Sequence, residues 1–300
     1  MKAAGRLTVR ARGLVVGLPF GWLVLFVLLP SLIVFAISLV EPRLGAPPFT
    51  PLFSHGSGAL PRFDGKLDNY LLIFSDSLYV AAFLSSIRIA VSAALITLVL
   101  AYPMAYAIAR TGPRWRTPLL MLVVLPFWTS FLIRVYAWTG ILNSNGLVNN
   151  ALRHLGVIAE PLPLLHNEFA VYLGIVYSYL PFMVLPIYAV LERLDWKLLE
   201  AAADLGAPPW RAFLRVTLPL SLPGIVAGLL LVFIPAVGEF IIPELLGGPG
   251  TLMIGRVLWT EFFSNHDWPL ASALAIVLLV LVLTPAIALA RVTRRPEDAA

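Results

Sequence analysis

Apolar positions in this chain come in long unbroken runs, and the charges collect in the shorter stretches between them. Residues 14–40 contain no charged side chain. Further apolar runs cover about 78–109, 118–142, 169–191, 220–242 and 269–290. Each reaches the roughly 20 mainly apolar residues that a bilayer-spanning helix needs. The pattern predicts one all-α integral membrane domain over 1–300 with six transmembrane helices. The first run superficially resembles a signal peptide, but it far exceeds the roughly 7–15 apolar residues of one and is expected to be retained as a span. The second run is long enough to tilt or project from the bilayer. Pro103 is expected to kink it, which packed neighbours tolerate. Between the first two runs, Leu67–Phe74 predicts a short helix capped by Asp68.

Composition agrees with this solvent. The chain is 60% hydrophobic and 12% charged, where soluble domains carry about 25% charged residues. With no cysteine there is no disulfide, thiol nucleophile or thiolate metal site. The four histidines, His55, His154, His166 and His266, show no ligand spacing, so no metal site is expected. The net charge of +5 is not a nucleic-acid footprint, because the basic residues flank apolar runs. Of the 21 Lys and Arg, 14 flank them on one side and five, Arg43, Arg62, Lys66, Arg153 and Arg256, on the other. Lys2, Arg6, Arg10 and Arg12, then Arg110, Arg114 and Arg116, then Arg193, Lys197, Arg211 and Arg215, then Arg291, Arg294 and Arg295 all fall at the same set of helix ends. The positive-inside rule puts that set in the cytoplasm: tail 1–13, turn 110–117, loop 192–219 and tail 291–300. Arg88 and Arg134 lie within runs and must snorkel or face protein or water.

The loop Glu192–Pro219 carries eight charged side chains between two apolar spans. It reads as two short helices and a corner. Glu192–Leu205 holds good helix formers, with Ala201, Ala202 and Ala203 the best of them. Gly206 suits the left-handed position that ends a helix, and Pro208 and Pro209 suit the first turn of the next. Leu194, Leu198, Ala201, Ala202 and Leu205 form an apolar face. Periodicity leaves two readings open: a helix lying on lipid, or a knob for a soluble partner.

Glu200-Ala201-Ala202, three residues, Gly206, nine residues, Val216, one residue and Leu218-Pro219 resembles the EAA loop of ABC importer permeases. Only the position of Val216, an isoleucine in the family pattern, departs. The resemblance implies the type I permease fold, with this loop as the coupling helix seated in a groove of an ATPase subunit. On that reading Glu200, Ala201, Ala202 and Gly206 carry the coupling. Two further stretches, Pro126–Asn149 and Gly238–Ala275, resemble the polyamine branch of these permeases, and the second is especially similar to its putrescine-uptake members. The branch implies a multi-pass bacterial inner-membrane protein with a second permease, a pair of ATPase subunits and an extracytoplasmic polyamine-binding protein as partners. The loop 41–66 is the least family-like part.

The chemistry of the chain fits a transport subunit rather than an enzyme. Its lysines are Lys2, Lys66 and Lys197, and none follows a GxxxxGK[ST] phosphate loop, so ATP and Mg are expected on the partner ATPase and no cofactor in this chain. Gly247–Gly250 predicts a turn. Neither a nucleophile–base pair nor a close carboxylate pair occurs in the runs. Glu239 is the membrane carboxylate. An acid near mid-membrane costs about 2.5–3.5 kcal/mol on insertion scales. It therefore needs Arg134, Arg88, a polar partner or a water cavity that a cation could share. Glu244, Glu261 and Asp267 extend the acidic character outward, where fixed negative charge concentrates cations. Trp128, Tyr136, Trp138, Trp259, Phe262 and Phe263 could hold an ammonium at about 0.5–2 kcal/mol each, or could form the interfacial aromatic belt. The expected path residues are Glu239, Trp128, Tyr136 and Glu244. The expected function is a permease subunit of an ATP-driven importer of polyamines, putrescine first. The alternatives are an importer permease for an anion or iron complex and a stand-alone secondary transporter.

Overall fold

The computed structural model describes residues 15–54 and 62–293. The expected tail 1–13, residues 294–300 and the middle of the loop 41–66 lie outside the described residues. In chain order the elements are α1 (Val15–Ser38), β1 (Phe53–Ser54), β2 (Arg62–Phe63), α2 (Asp68–Ser75) and α3 (Ser77–Arg110). Then come α4 (Pro113–Val124), α5 (Phe131–Leu142), α6 (Leu147–His154), α7 (Glu168–Leu191) and α8 (Lys197–Asp204). The last are α9 (Pro209–Val237), α10 (Ile241–Leu246), α11 (Ile254–Trp259) and α12 (Trp268–Thr293). Among the described residues five helices, α1, α3, α7, α9 and α12, are long and apolar enough to cross a membrane. A sixth span results if Pro113–Trp128 and Phe131–His154 are counted together, although they meet at 88°.

That bend corrects the expected continuous span 118–142. A 3-10 turn, Leu125–Trp128, closes α4, and Thr129 and Ser130 are extended before α5 begins. The Thr129 hydroxyl donates to the Pro126 carbonyl at 2.8 Å, a local bond that competes with helix continuation. Other boundaries also move. The short helix begins at Asp68 with Leu67 at its cap position, so Asp68 lies in the first turn rather than capping it. Helix α8 begins at Lys197, not Glu192, because Asp195 turns back to accept the Lys197 amide at 3.1 Å. The fifth span runs over Pro209–Val237 instead of 220–242 and absorbs a wide π turn, Phe213–Thr217. Helix α3 continues through Pro103.

The chain divides into two compact units. The larger, Ser77–Val257 with the described residues from Val282 onward, has α3, α7 and α9 packed on one another at its core. Their sequences explain the closeness. Small residues, Ala82, Ser86, Ala90, Ala93, Thr97, Ala101 and Ala105 among them, make up most of the buried side of α3, between larger ones such as Phe83, Ile89 and Tyr102. Small residues let helix backbones approach in lipid, where apolar burial alone gives no preference for protein. On α9, a β-carbon added at Gly224 would stand 2.7 Å from the Pro186 carbonyl oxygen and 3.0 Å from the Ile187 Cα. Buried hydroxyls are mostly satisfied locally or across the seam. Thr97 donates to the Ala93 carbonyl at 2.6 Å, and Tyr102 meets the Ser221 hydroxyl at 2.9 Å. Beyond α6, buried Asn149 ties the loop by bonds to the backbone of Asn143 and Leu162.

The smaller unit holds the described residues up to Asp76 and Leu258–Leu281. In it β1 and β2 pair antiparallel, Phe53 opposite Phe63. Asn69 donates to the carbonyls of Ser38 and Val40 at 3.0 and 2.9 Å, the Ser38 hydroxyl meets Tyr70, and Lys66 pairs with Glu41. Trp268 stacks on Phe262 with ring centres 5.0 Å apart.

Candidate functional site

Two places carry the candidate chemistry, both within the larger unit. The first is the elbow formed by α8 and the start of α9. Leu205 caps α8, Gly206 follows at φ +79°, and its amide donates to the Ala203 carbonyl at 2.8 Å while that of Ala207 donates to Ala202 at 3.0 Å. This paired closure uses a left-handed residue to satisfy the last carbonyls of a helix. Pro208 and Pro209 then start α9, Pro209 in its first turn. Glu200, Ala201 and Gly206 are exposed and Ala202 half-buried. Leu205 is 90% and Trp210 60% exposed, so the corner offers apolar surface beside its charges. Helix α8 fully buries none of its own side chains.

The second is a cavity of about 400 Å³ lined by Phe127, Phe131, Arg134, Tyr179, Phe182 and Glu239, among others. Helix α9 stops at Val237, and α10 starts at Ile241 with its first amides unpaired along the helix. Glu239 sits in the joint. Its Oε1 accepts from the amides of Phe240, Ile241 and Ile242 at 3.2, 3.0 and 3.4 Å. Its Oε2 accepts from the Tyr179 hydroxyl. A carboxylate at a helix start is favoured by the helix dipole as well as by these bonds. The side chain is 8% exposed. Its described partners are thus a tyrosine and three amides, and not Arg134 or Arg88. Arg88 pairs with Glu168 instead. The Arg134 guanidinium carbon lies 4.9 Å from the Phe127 ring centre and 5.8 Å from that of Phe131. Its Nε and Nη1 are buried with no hydrogen-bond partner among the described residues.

The other expected path residues lie elsewhere. Trp128 and Tyr136 are 79% and 64% exposed and do not line this cavity. The break at Thr129 and Ser130 turns Phe127 and Phe131 to it in their place. Glu244 pairs with Arg256 at 2.7 Å, which offsets its charge. Gly247–Gly250 forms the expected turn, closed by the Gly248 amide on the Thr251 hydroxyl at 2.9 Å. Sequence reasoning missed Tyr179 and Phe182. Their spacing in YSYLPF, beside Pro181, puts both on one helix face, and that was the available signal. Among the described residues no cluster of three His, Cys, Asp or Glu could hold a metal.

Residues 62–296 match the model of the family described as binding-protein-dependent transport system inner membrane component. The chain belongs to this family. It is therefore a transport subunit of the multi-pass inner-membrane class. The permease is 42% identical over 267 residues to the "Spermidine/putrescine transport system permease protein PotB" of Haemophilus influenzae, covering 89% of this chain and 88% of that one. It is 40% identical over 262 residues to the protein of the same name from Escherichia coli (strain K12), covering 87% and 90%. A solved bacterial ABC transporter that imports the acidic polysaccharide alginate has a chain with a TM-score of 0.65 to this permease, at 17% identity and covering 98% and 100%. That likeness establishes the fold, which is the type I importer permease fold the elbow motif implied.

Proposed function

We propose that this permease is one of two membrane subunits of an ATP-driven polyamine importer, with putrescine as its principal solute. The observation that carries the reading is the 42% identity, across nearly the whole chain, to a spermidine/putrescine permease. The cavity supports it, because one buried carboxylate and five aromatic rings line a space of about 400 Å³, the chemistry that an alkyl ammonium prefers. In this scheme both termini and the elbow face the cytoplasm, in keeping with the concentration of Lys and Arg at those ends. A soluble binding protein delivers the solute from outside. An ATPase pair holding ATP and Mg grips Glu200, Ala201, Ala202 and Gly206. A groove that moves with nucleotide state binds one permease conformation better than the other, and that difference drives the switch.

The test is reconstitution of the permease with its second permease, ATPase pair and binding protein in liposomes. Labelled putrescine accumulates only with ATP inside, and faster than labelled spermidine. Accumulation without the ATPase overturns the importer reading, and spermidine preferred over putrescine overturns the choice of solute. One observation favours a second reading, an anionic solute: the two unpaired Arg134 nitrogens at the cavity. On that reading Arg134→Gln abolishes uptake, whereas for a diamine it removes a repelling charge and uptake is retained or rises.

A further inference from the structure

The elbow is tied to the rest of the larger unit by a small set of directional contacts. Tyr106 and Arg110 stand one turn apart near the end of α3. The Arg110 guanidinium carbon lies 5.8 Å from the Tyr106 ring centre and 5.1 Å from that of Trp196. Trp196 immediately precedes α8 and meets Tyr106 edge to face at 5.8 Å. Tyr106 in turn meets Phe213 of the π turn in α9 at 6.1 Å. One indole is therefore held between a cation and a phenol that both belong to α3.

Arg116 makes the second tie. From the first turn of α4 its Nε donates to the Thr111 carbonyl at 2.9 Å and its Nη2 to the Ala109 carbonyl at 3.0 Å. Its Nη1 lies 3.6 Å from Glu192 at the end of α7. One guanidinium thus joins the end of α3, the start of α4 and the end of α7. It sits where a cation complements the unpaired carbonyls of a helix C-terminus. A lysine has no planar fork with which to reproduce that arrangement. Both ties border one cavity of about 420 Å³ that Leu199, Glu200 and Ala203 of α8 also line.

Apolar burial adds little here, since α8 has no fully buried side chain. On either side of it the backbone is irregular, at Glu192–Trp196 and at Gly206–Pro208. A push on a helix joined only through such segments would be absorbed by them. We propose that Arg110 and Trp196 are positioning residues that pin the elbow to the end of α3, while Arg116 holds that end to α4 and to the end of α7. Displacement of α8 then turns α3 and α4 instead of flexing its own ends. The proposal rests on the reading of α8 as the element gripped by the ATPase.

The experiment uses the complete importer in liposomes. The chain lacks cysteine, so a single Leu205→Cys reporter can be crosslinked to the ATPase without background from this subunit. Two quantities are read: putrescine imported per ATP hydrolysed, and crosslink yield. Arg110→Gln and Trp196→Leu each lower import per ATP about two- to fivefold, the equivalent of one exposed cation–aromatic contact, while crosslink yield stays constant. The double variant is no worse than the poorer single one, and Arg110→Lys, which keeps a cation over the ring, recovers most of the loss. Import per ATP unchanged in both single variants overturns the pin. So does an Arg110→Lys chain as poor as Arg110→Gln, or a crosslink yield that falls in step with import. No crosslink in the otherwise unsubstituted chain overturns the docking reading itself, and the pin with it.

Discussion

Glu239 has two separable duties, and three substitutions distinguish them. As a scaffold group it accepts three amides and the Tyr179 hydroxyl. As a charge it is, among the described residues, the only acid lining the cavity. Glu239→Gln keeps the scaffold. The remaining carbonyl oxygen still accepts the amides, and the new NH₂ can donate to the tyrosine oxygen, which accepts as readily as it donates. Its stability cost is under about 1 kcal/mol, the net worth of one hydrogen bond. Glu239→Leu loses the helix-start bonds, about 0.5–2 kcal/mol, and strands the Tyr179 hydroxyl, about 1–3 kcal/mol. Tyr179→Phe keeps the charge but removes a bond to a charged acceptor, about 1.5–3 kcal/mol.

If the carboxylate also stabilises a passing ammonium, its charged contact is worth about 1.5–3 kcal/mol. Transport at saturating binding protein then falls about tenfold to about 150-fold in Glu239→Gln. The effect belongs in the transport rate, because capture from solution is the task of the separate binding protein. The assay is initial-rate uptake of labelled putrescine, normalised to permease recovered in membranes, with thermal inactivation of the purified complex as the stability measure. A Glu239→Gln permease with normal recovery and normal rate refutes the charge role. Glu239 would then be a structural cap.

Two further substitutions test the packing and the elbow. Gly224→Ala puts a methyl 2.7 Å from the Pro186 carbonyl oxygen; backbone cannot yield as a side chain would, so thermal inactivation of the complex should show a loss of about 1–3 kcal/mol. Gly206→Asp meets no neighbour within 4 Å but imposes φ +79° on a residue with a β-carbon. It should cost about 1–2 kcal/mol locally, leave membrane insertion intact and lower both ATPase co-purification and uptake; normal co-purification would remove Gly206 from the coupling element.

Five of the six spans were legible because each of those runs exceeds the bilayer requirement and charge marks most of its ends. The elbow was legible because its signals are local: an alanine run, a glycine at the required φ, and two prolines after it. Signals that depend on a distant partner were not. Nothing near Glu239 in sequence announces Tyr179, which lies on a different helix. The break at Thr129 and Ser130 was hidden because both residues are tolerated within apolar helices, and only a hydroxyl-to-carbonyl bond shows that the helix stops. That break decides which aromatics meet the cavity, since Phe127 and Phe131 line it while Trp128 and Tyr136 are exposed. Glu192 misled in another way. It is a good helix former, but the Asp195 side chain competes for the backbone immediately after it.

The alanine seam along α3 has a consequence for how this protein can vary. Alanine has no rotamers to freeze and only a methyl group to give up, so the contact with α7 and α9 is already short at Ala90, Ala93, Ala101 and Ala105. A bulkier replacement at those positions wedges the bundle apart, whereas the outward side of the same helix, at Leu84, Val91, Leu95 and Val99, can exchange one greasy side chain for another. A saturation library across α3 should therefore split sharply along its length into intolerant and permissive stripes, one helical face each, with side-chain size as the sorting variable.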